Sequence, residues 1–275
     1  MRIRAFGHTD VGKKRRINED DFICVQLVKK NSNEIPIYLF AVADGIGGHA
    51  GGELASSIAV ETLKEKIPVI LNTGGSPEEY QEALEASFQE ANRRIFKEAS
   101  EKQHLVGMGT TLVAALVSEN TAVVSNVGDS RGYKIKNDEL IQLTLDHSWK
   151  AEQVRNHIMT EVQAQQSPFR NMVTRSLGLG SDVMVDTFHV EFEANEYLLL
   201  CTDGLYAYPS DSQIIKIFRK YKTPEKICRR LIKLANQQGG HDNITGIIAF
   251  FEDKKKKEGK KLELSDTVKL DPHKS

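Results

Sequence analysis

Short apolar runs separated by turn residues recur along this sequence, and they constrain its fold more than any other feature. Residues 35–43 (IPIYLFAVA) and 110–117 (TTLVAALV) are typical examples. Runs of this length, rich in β-branched and aromatic residues, predict buried β-strands. Strands and helices stand in separate blocks, without the regular alternation that builds a parallel sheet. The pattern therefore favours antiparallel pairing.

Nine segments share this strand pattern. They are residues 21–28, 35–43, 110–117, 121–127, 131–136, 139–144, 185–192, 197–202 and 244–251. The first two are joined by Asn31-Ser32-Asn33 and predict a hairpin. Breaks at Glu119-Asn120 and Asn137-Asp138 suit tight turns, so the four runs between residues 110 and 144 predict an antiparallel meander.

Helical periodicity marks four further segments. The first spans about Glu53 to Ile67, and the second opens at Ser76, which forms a predicted capping box with Glu79. Two more helices are predicted from Ser210 and after Thr223, where Thr223 is the predicted cap.

Residues 252–275 (EDKKKKEGKKLELSDTVKLDPHKS) differ sharply in composition from the rest. A segment so rich in charge cannot bury enough apolar surface to order itself. We therefore divide the chain into one domain over residues 1–251 and a charged, disordered tail over 252–275. Thr267 is a possible phosphorylation site in this tail, with an unmodified threonine as the alternative. The lysines at 254–257 are either a contact for an acidic surface or simply solvated.

Charge and cysteine usage limit the compartment and the partners. The formal net charge is −1, so no global basic field concentrates nucleic acid or anionic lipid. The three cysteines lack the spacing of a zinc or redox motif, which favours a reducing compartment. No signal-peptide core is visible, and no apolar run approaches the ~20 residues that span a bilayer. We expect a cytoplasmic protein with no nucleic-acid or membrane partner.

Acidic residues border several of the predicted strands. They are Glu19, Asp20, Asp44, Asp129, Asp203 and Asp242. A single Asp-Gly after a strand is usually only a turn, but acids at the ends of several buried strands are harder to explain in that way. Carboxylates that lie close together repel and take up protons unless cations occupy the space between them. The pattern therefore predicts a metal site.

The predicted donors are all oxygen, with no cysteine cluster and no HExxH motif. Such donors suit Mg²⁺ or Mn²⁺, and two ions can clamp a phosphoryl group and lower the pKa of a bridging water that attacks in line. Arg15 and Arg16 are candidates for binding phosphate through paired hydrogen bonds, although solvent-exposed arginines are the plain alternative. We infer a metal-dependent phosphate-ester hydrolase.

Other chemistries fit the sequence less well. No cysteine has the arginine six positions later that a cysteine-dependent phosphatase requires, and no DxDxT run is present for an aspartyl-phosphate. A nucleotide-binding enzyme is a second hypothesis, because residues 7–14 (GHTDVGKK) nearly spell a phosphate-binding loop. Lys14 stands where Ser or Thr is needed, and the run does not open a helix.

Six motifs, in this order, carry a family resemblance: RRINED, FAVADGIGGHAGGE, GTTLVAAL, VGDSRGY, LLLCTDGL and GGHDNIT. From Arg2 to Phe251 the chain resembles the metal-dependent serine/threonine protein phosphatases of type 2C, especially the bacterial ones. The resemblance implies an α+β fold, a four-layer αββα sandwich of two antiparallel sheets with helices on both outer faces. It also implies phosphoprotein substrates, a cognate serine/threonine kinase as partner, and a monomer.

The resemblance further implies roles for the acidic residues. Asp44 would bridge two Mn²⁺ or Mg²⁺ ions, Gly45 would lend its carbonyl, and Asp203 and Asp242 would bind directly. Asp129 would contribute to a possible third ion. A catalytically silent relative that only binds phosphoproteins is a third hypothesis, but such a chain is expected to have lost one of the main aspartates.

Supporting residues are implied in the same way. Glu19 and Asp20 would act largely through metal-bound waters, Arg15 would clamp the phosphate, and Asn243 would support the site from behind. Residues 148–178 resemble the mobile flap of the bacterial enzymes, and their polar composition predicts a loop-like cover, with a simple surface insertion as the alternative.

The proton donor is one departure from the pattern. Ile46 stands where many eukaryotic relatives carry a histidine, and Ile cannot transfer a proton to a leaving group. His49 lies close in sequence and has either a chemical role or a purely local packing role.

Overall fold

Eleven β-strands and seven α-helices form the part of the chain that the computed structural model describes, residues 1–27, 35–47, 50–71 and 75–253. The strands are β1 (Arg2–Asp10), β2 (Asp20–Leu27), β3 (Ile37–Ile46), β4 (Gly109–Thr110), β5 (Leu112–Ser118), β6 (Thr121–Val127), β7 (Arg131–Lys136), β8 (Glu139–Gln142), β9 (Asp186–Glu191), β10 (Tyr197–Cys201) and β11 (Ile244–Glu252). The helices are α1 (Ala50–Ile70), α2 (Pro77–Glu101), α3 (Trp149–Arg155), α4 (Glu161–Gln165), α5 (Asp203–Tyr206), α6 (Asp211–Lys220) and α7 (Pro224–Gln237).

The strands form two antiparallel sheets. One has the order β1-β11-β10-β7-β8, and the other has the order β2-β3-β5-β6-β9, with β4 added beside the end of β3. Phe192 and Phe251 stack at 4.1 Å between ring centroids in the core between the sheets. The architecture confirms the predicted antiparallel sandwich.

Alternation along β3 shows how the four layers form. Leu39 and Ala41 belong to the core shared with α1 and α2, whereas Phe40 and Val42 belong to the core between the two sheets. Successive side chains of a strand point to opposite faces, so a strand that is apolar throughout is covered on both sides. A third core joins the five-stranded sheet to α5, α6 and α7. Helices therefore cover both outer faces, as predicted.

Most predicted elements are confirmed, with shifted ends. The Ser76–Glu79 capping box is present at α2, and α6 begins with a second box between Ser210 and Gln213. Thr223 makes no side-chain capping hydrogen bond at α7, so that detail was wrong.

The predicted meander is wrong in one respect. β5 pairs with β6, and β7 pairs with β8, but β6 and β7 lie in different sheets. The chain passes between the sheets at Gly128, whose φ of 104° is in the left-handed region that glycine adopts readily. A pattern of apolar runs cannot distinguish a hairpin from this crossing.

β1 was not predicted at all. It pairs with β11 along its whole length, from Arg2 opposite Glu252 to Asp10 opposite Ile244. The alternation of buried and exposed residues along β1 is weak, because most of its residues are only half-buried. The residues that resemble a nucleotide-binding loop begin inside this strand and open no helix, which argues against that hypothesis.

Three predictions fall outside the described residues. They concern the Asn31-Ser32-Asn33 turn, His49, and the tail beyond Asp253 with Thr267. The domain division at residue 251 stays a prediction, and β11 ends at Glu252.

Candidate metal centre and active site

Four of the predicted aspartates meet at one end of the sandwich because strands from both sheets end there. Asp20 opens β2 and lies directly opposite Asp44, near the end of β3. Asp203 follows β10 at the start of α5, and Asp242 lies two residues before the start of β11. β10 and β11 are neighbours in the five-stranded sheet, so their two aspartates approach the Asp20–Asp44 pair from the opposite sheet.

The electrostatics of the cluster show how closely these acids interact. Burial, followed by the charges of Asp20, Asp203, Asp129 and Asp242, raises the pKa of Asp44 well above its usual value. Burial also raises the pKa of Asp20 to about 7, that of Asp129 to about 7 and that of Asp203 to about 6. A cluster of this kind favours protons or metal cations.

The donor set fits a hard divalent cation. Asp20 Oδ1 and Asp203 Oδ1 are buried and make no hydrogen bond in the structure. Asp44, Asp129, Asp203 and Asp242 keep part of their surface open to solvent, so a substrate can reach them. Within the described ranges, no three Asp, Glu, His or Cys residues are already arranged around one metal position. This is compatible with Mg²⁺ or Mn²⁺, because such ions keep several waters and need few protein ligands each.

Close packing of the backbone around position 45 leaves no space for a side chain, so glycine is required there. A Cβ atom at this position would lie 2.2 Å from the carbonyl oxygen of Gly52 and 2.7 Å from that of Glu19. The Gly45 N–H donates to the Glu19 carbonyl at 3.1 Å. This contact holds the end of β3 against Glu19, the residue that precedes β2.

Three threonine hydroxyls that the sequence reasoning missed form hydrogen bonds with Asp20 and Asp44. Thr202 Oγ1 and Thr245 Oγ1 donate to Asp20 Oδ2 at 2.8 and 2.6 Å, which ties Asp20 to the opposite sheet. Thr111 Oγ1 accepts from the Asp44 N–H at 3.0 Å. A signal was present, since Thr202 precedes Asp203 directly and Thr245 follows Asp242 by three positions.

Asn243, predicted to support the site, is buried beside the acidic cluster. It is 3% exposed. Its Oδ1 accepts from the Glu19 N–H at 2.8 Å, and its Nδ2 donates to the carbonyls of Val11 and Ile17 at 2.9 and 3.0 Å. One side chain thereby fixes both ends of the β1–β2 connection and the backbone of Glu19.

Replacement of Asn243 by Ala is expected to lower the free energy of unfolding by about 3 kcal/mol, because it leaves a buried N–H and two carbonyls without partners. Urea unfolding measures the change. Asn120→Ala, in an exposed turn, is the matched control and is expected to change stability by less than about 0.5 kcal/mol. Equal effects of the two variants would contradict this role.

Arg15, rather than Arg16, is directed at the cluster. Its Nη2 donates to Asp242 Oδ2 at 2.8 Å, and its Nη1 lies 3.6 Å from Glu19 Oε2. The guanidinium side chain remains 47% exposed, so it borders both the acids and solvent. The structure therefore places the predicted phosphate-binding group beside the predicted metal ligands.

Asp129 lies on the connection between β6 and β7. The hydroxyl of Tyr206 donates to its carbonyl oxygen at 2.8 Å, and the charge of Asp203 contributes to its raised pKa. His147 Nδ1 accepts from the Gly128 N–H at 3.0 Å, which fixes the preceding residue. The structure thus brings Asp129 to the edge of the cluster.

The predicted flap, residues 148–178, contains regular secondary structure rather than only loop. It contains α3 and α4, and α4 begins with a capping box between Thr160 and Gln163. The expectation of a loop-like cover was therefore wrong, because polar residues in this segment cap short helices. Leu177, at its end, pairs with Thr110, next to the end of β3.

Comparisons with known proteins agree with this geometry. The sequence pattern of the family "Protein phosphatase 2C" matches residues 4–178. The serine/threonine phosphatase stp of Listeria innocua is 39% identical over 248 residues, which cover 90% of this chain and 95% of that protein. The solved structure of the S. agalactiae serine/threonine phosphatase has a TM-score of 0.83 at 31% identity and covers 91% of this chain and 100% of that chain.

A second solved structure bears on the metal. It is the catalytic domain of the serine/threonine protein phosphatase PstP in complex with two manganese ions, with a TM-score of 0.76 at 30% identity. It covers 91% of this chain and 99% of that chain. The present chain belongs to the protein phosphatase 2C family and is a serine/threonine protein phosphatase of the bacterial type that depends on Mn²⁺ or Mg²⁺.

Proposed function

We propose that the acidic cluster around Asp44 is the centre at which this enzyme hydrolyses phosphoserine and phosphothreonine in proteins. The supporting observation is the convergence of strand-end carboxylates from both sheets, with buried oxygens of Asp20 and Asp203 left without hydrogen bonds. When bound, Mn²⁺ or Mg²⁺ ions neutralise these carboxylates, orient the phosphoryl group and activate the attacking water.

Asp44 is the proposed bridge between two ions. Its central position supports this role, because the charges of the other four aspartates all raise its pKa. Asp203 and Asp242 are the proposed direct ligands, with the Gly45 carbonyl beside them.

The proposed roles of Glu19 and Asp20 follow from the burial of their side chains. Glu19 and Asp20 are 7% and 8% exposed, and both lie behind the more open acids, which suits action through bound waters. Asp129 is the proposed ligand of a third ion. Asn243 holds the backbone beneath Glu19 and does not touch the substrate.

No side chain at position 46 transfers a proton. Ile46 pairs with Gly109 at the end of β3 and carries no titratable group. We propose that solvent water protonates the leaving serine or threonine oxygen, because the neighbouring acids are open to solvent. The proposed role of His49 stays a prediction.

Phosphate release from matched phosphothreonine, phosphoserine and phosphotyrosine peptides tests the proposal. With Mn²⁺ present, the first two are expected to be hydrolysed in preference to the third, and chelator should stop the reaction. A silent phosphoprotein-binding relative would bind these peptides without releasing phosphate. That outcome would replace the proposed function with simple binding.

Arg15→Ala is expected to raise KM for a phosphopeptide about tenfold with a smaller change in kcat, because it removes a contact made to the phosphate in the ground state. Steady-state kinetics at saturating Mn²⁺ measure both constants. Arg219→Ala is the matched control, since Arg219 is exposed and paired with Asp138. A fall in kcat at constant KM would contradict a clamping role.

We further propose that the enzyme is a cytoplasmic monomer that opposes a cognate serine/threonine kinase and acts on neither nucleic acid nor membranes. The near-neutral net charge of −1 supports the absence of polyanionic partners. Among the described residues, no helix is long and apolar enough to cross a membrane.

A further inference from the structure

Residues 11–17 lie in the connection between β1 and β2 and carry four consecutive cations, KKRR, at positions 13–16. We call this segment the basic loop. Its two ends are held by Asn243, whose Nδ2 donates to the carbonyls of Val11 and Ile17. Both ends of the basic loop are therefore held beside the active site.

The middle of the basic loop is fixed as well. The N–H groups of Lys13 and Lys14 both donate to the Gly240 carbonyl, at 2.8 and 3.1 Å. Gly12 has a φ of 79°, and a Cβ atom there would lie 2.1 Å from the carbonyl oxygen of Asp242. The loop thus packs directly on the segment that carries one proposed metal ligand.

Only one of the four cations is used by the site. Arg15 pairs with Asp242, whereas Lys13, Lys14 and Arg16 are exposed and form no ion pair with any residue in the described part of the chain. Asp10, three residues before Lys13, accepts hydrogen bonds from the Gly12 N–H and from Asn236. Three cations therefore face solvent on the rim of the phosphate site.

We propose that Lys13, Lys14 and Arg16 select phosphoproteins in which acidic residues flank the phosphorylated serine or threonine. This inference rests on the proposed function, which places the substrate phosphate at Arg15. Residues next to the phosphorylated one lie about 3.3 Å further along an extended peptide, well within the ~10 Å range of exposed charges at 0.1 M salt. Acidic neighbours are attracted there and basic neighbours are repelled.

The test uses three phosphothreonine peptides that differ only in their flanking residues, which are Glu, Gln or Lys. The wild-type enzyme with Mn²⁺ is expected to show a kcat/KM about tenfold higher for the Glu peptide than for the Lys peptide. The reason is that the three exposed cations form ion pairs of modest strength with the flanking glutamates and repel the flanking lysines. In the variant K13Q/K14Q/R16Q this ratio is expected to fall to about twofold.

The control variant K216Q/K226Q/K233Q removes the same charge from exposed positions on α6 and α7, and it should keep the wild-type ratio. The wild-type ratio should also fall toward one as salt rises from about 50 to 500 mM, which tests the idea without any substitution. A ratio near one in the wild type, a ratio unaffected by salt, or equal losses in both variants would overturn the proposal. Failure of the wild type to hydrolyse any of the peptides would instead overturn the proposed function.

Discussion

Asp203→Asn is expected to lower kcat/KM for a phosphothreonine peptide by at least about a thousandfold in the presence of Mn²⁺. Metal ions that stabilise the transition state supply several kcal/mol, and about 4 kcal/mol corresponds to a thousandfold in rate. Asn keeps the size of Asp203 but removes the negative charge that holds a divalent cation. The protein backbone at α5 should be unaffected.

Asp211→Asn is the matched control for this substitution. Asp211 also lies in the first turn of a helix, but it is exposed and belongs to α6. Its replacement is expected to leave kcat/KM within about twofold of the wild-type value. Circular dichroism of both variants shows whether the fold is intact. Hydrolysis by a folded Asp203→Asn enzyme at the wild-type rate would refute the assignment of Asp203 as a ligand.

Without divalent metal, the protein is expected to lose at least about 3 kcal/mol of unfolding free energy as pH rises from about 5 to about 8. The pKa values of Asp20 and Asp129 are raised to about 7 and that of Asp203 to about 6, first by burial. Above their ordinary pKa near 4, these acids ionise in the unfolded chain while they stay protonated in the folded one. Stability therefore falls until pH passes the raised pKa values.

Mn²⁺ is expected to cancel this fall, because a cation replaces the protons and binds only the folded state. At a free concentration of about 100 times Kd it adds about 2.7 kcal/mol. In chelator, Asp44→Asn should be more stable than the wild type at pH 8 but not at pH 5, since one repelling charge is gone. Asp182→Asn, at an exposed position, is the control. Thermal unfolding that is independent of pH in the metal-free wild type would contradict the predicted acidic repulsion.

The sequence predicted the positions of the acids well because each acid is tied to a local event, the end of an apolar run. Asp44 and Asp203 both stand in Asp-Gly pairs directly after the apolar runs predicted as strands. The antiparallel pairing followed from the separate blocks of strand and helix patterns, whereas the four-layer sandwich was implied by the family resemblance of the six motifs. The ends of apolar runs are properties of single strands, and a sequence displays them directly.

What the sequence did not predict depends on contacts between distant segments. β1 is a strand because it pairs with β11, more than two hundred residues away, and not because of its own alternation. The hydroxyls of Thr202 and Thr245 reach Asp20 only after the two sheets pack. The passage between sheets at Gly128 likewise depends on which sheet each neighbouring strand joins.

Equilibrium binding of Mn²⁺ to the metal-free protein tests the central claim most directly, because it is independent of turnover. The free ion is counted by electron paramagnetic resonance during titration of the wild type and of Asp44→Asn, with Asp182→Asn as control. The wild type and the control are expected to bind at least two ions, and Asp44→Asn is expected to lose both or to bind them at least about a hundredfold more weakly. Binding of the same number of ions with unchanged affinity by Asp44→Asn would contradict the proposal that the strand-end carboxylates around Asp44 form the metal centre.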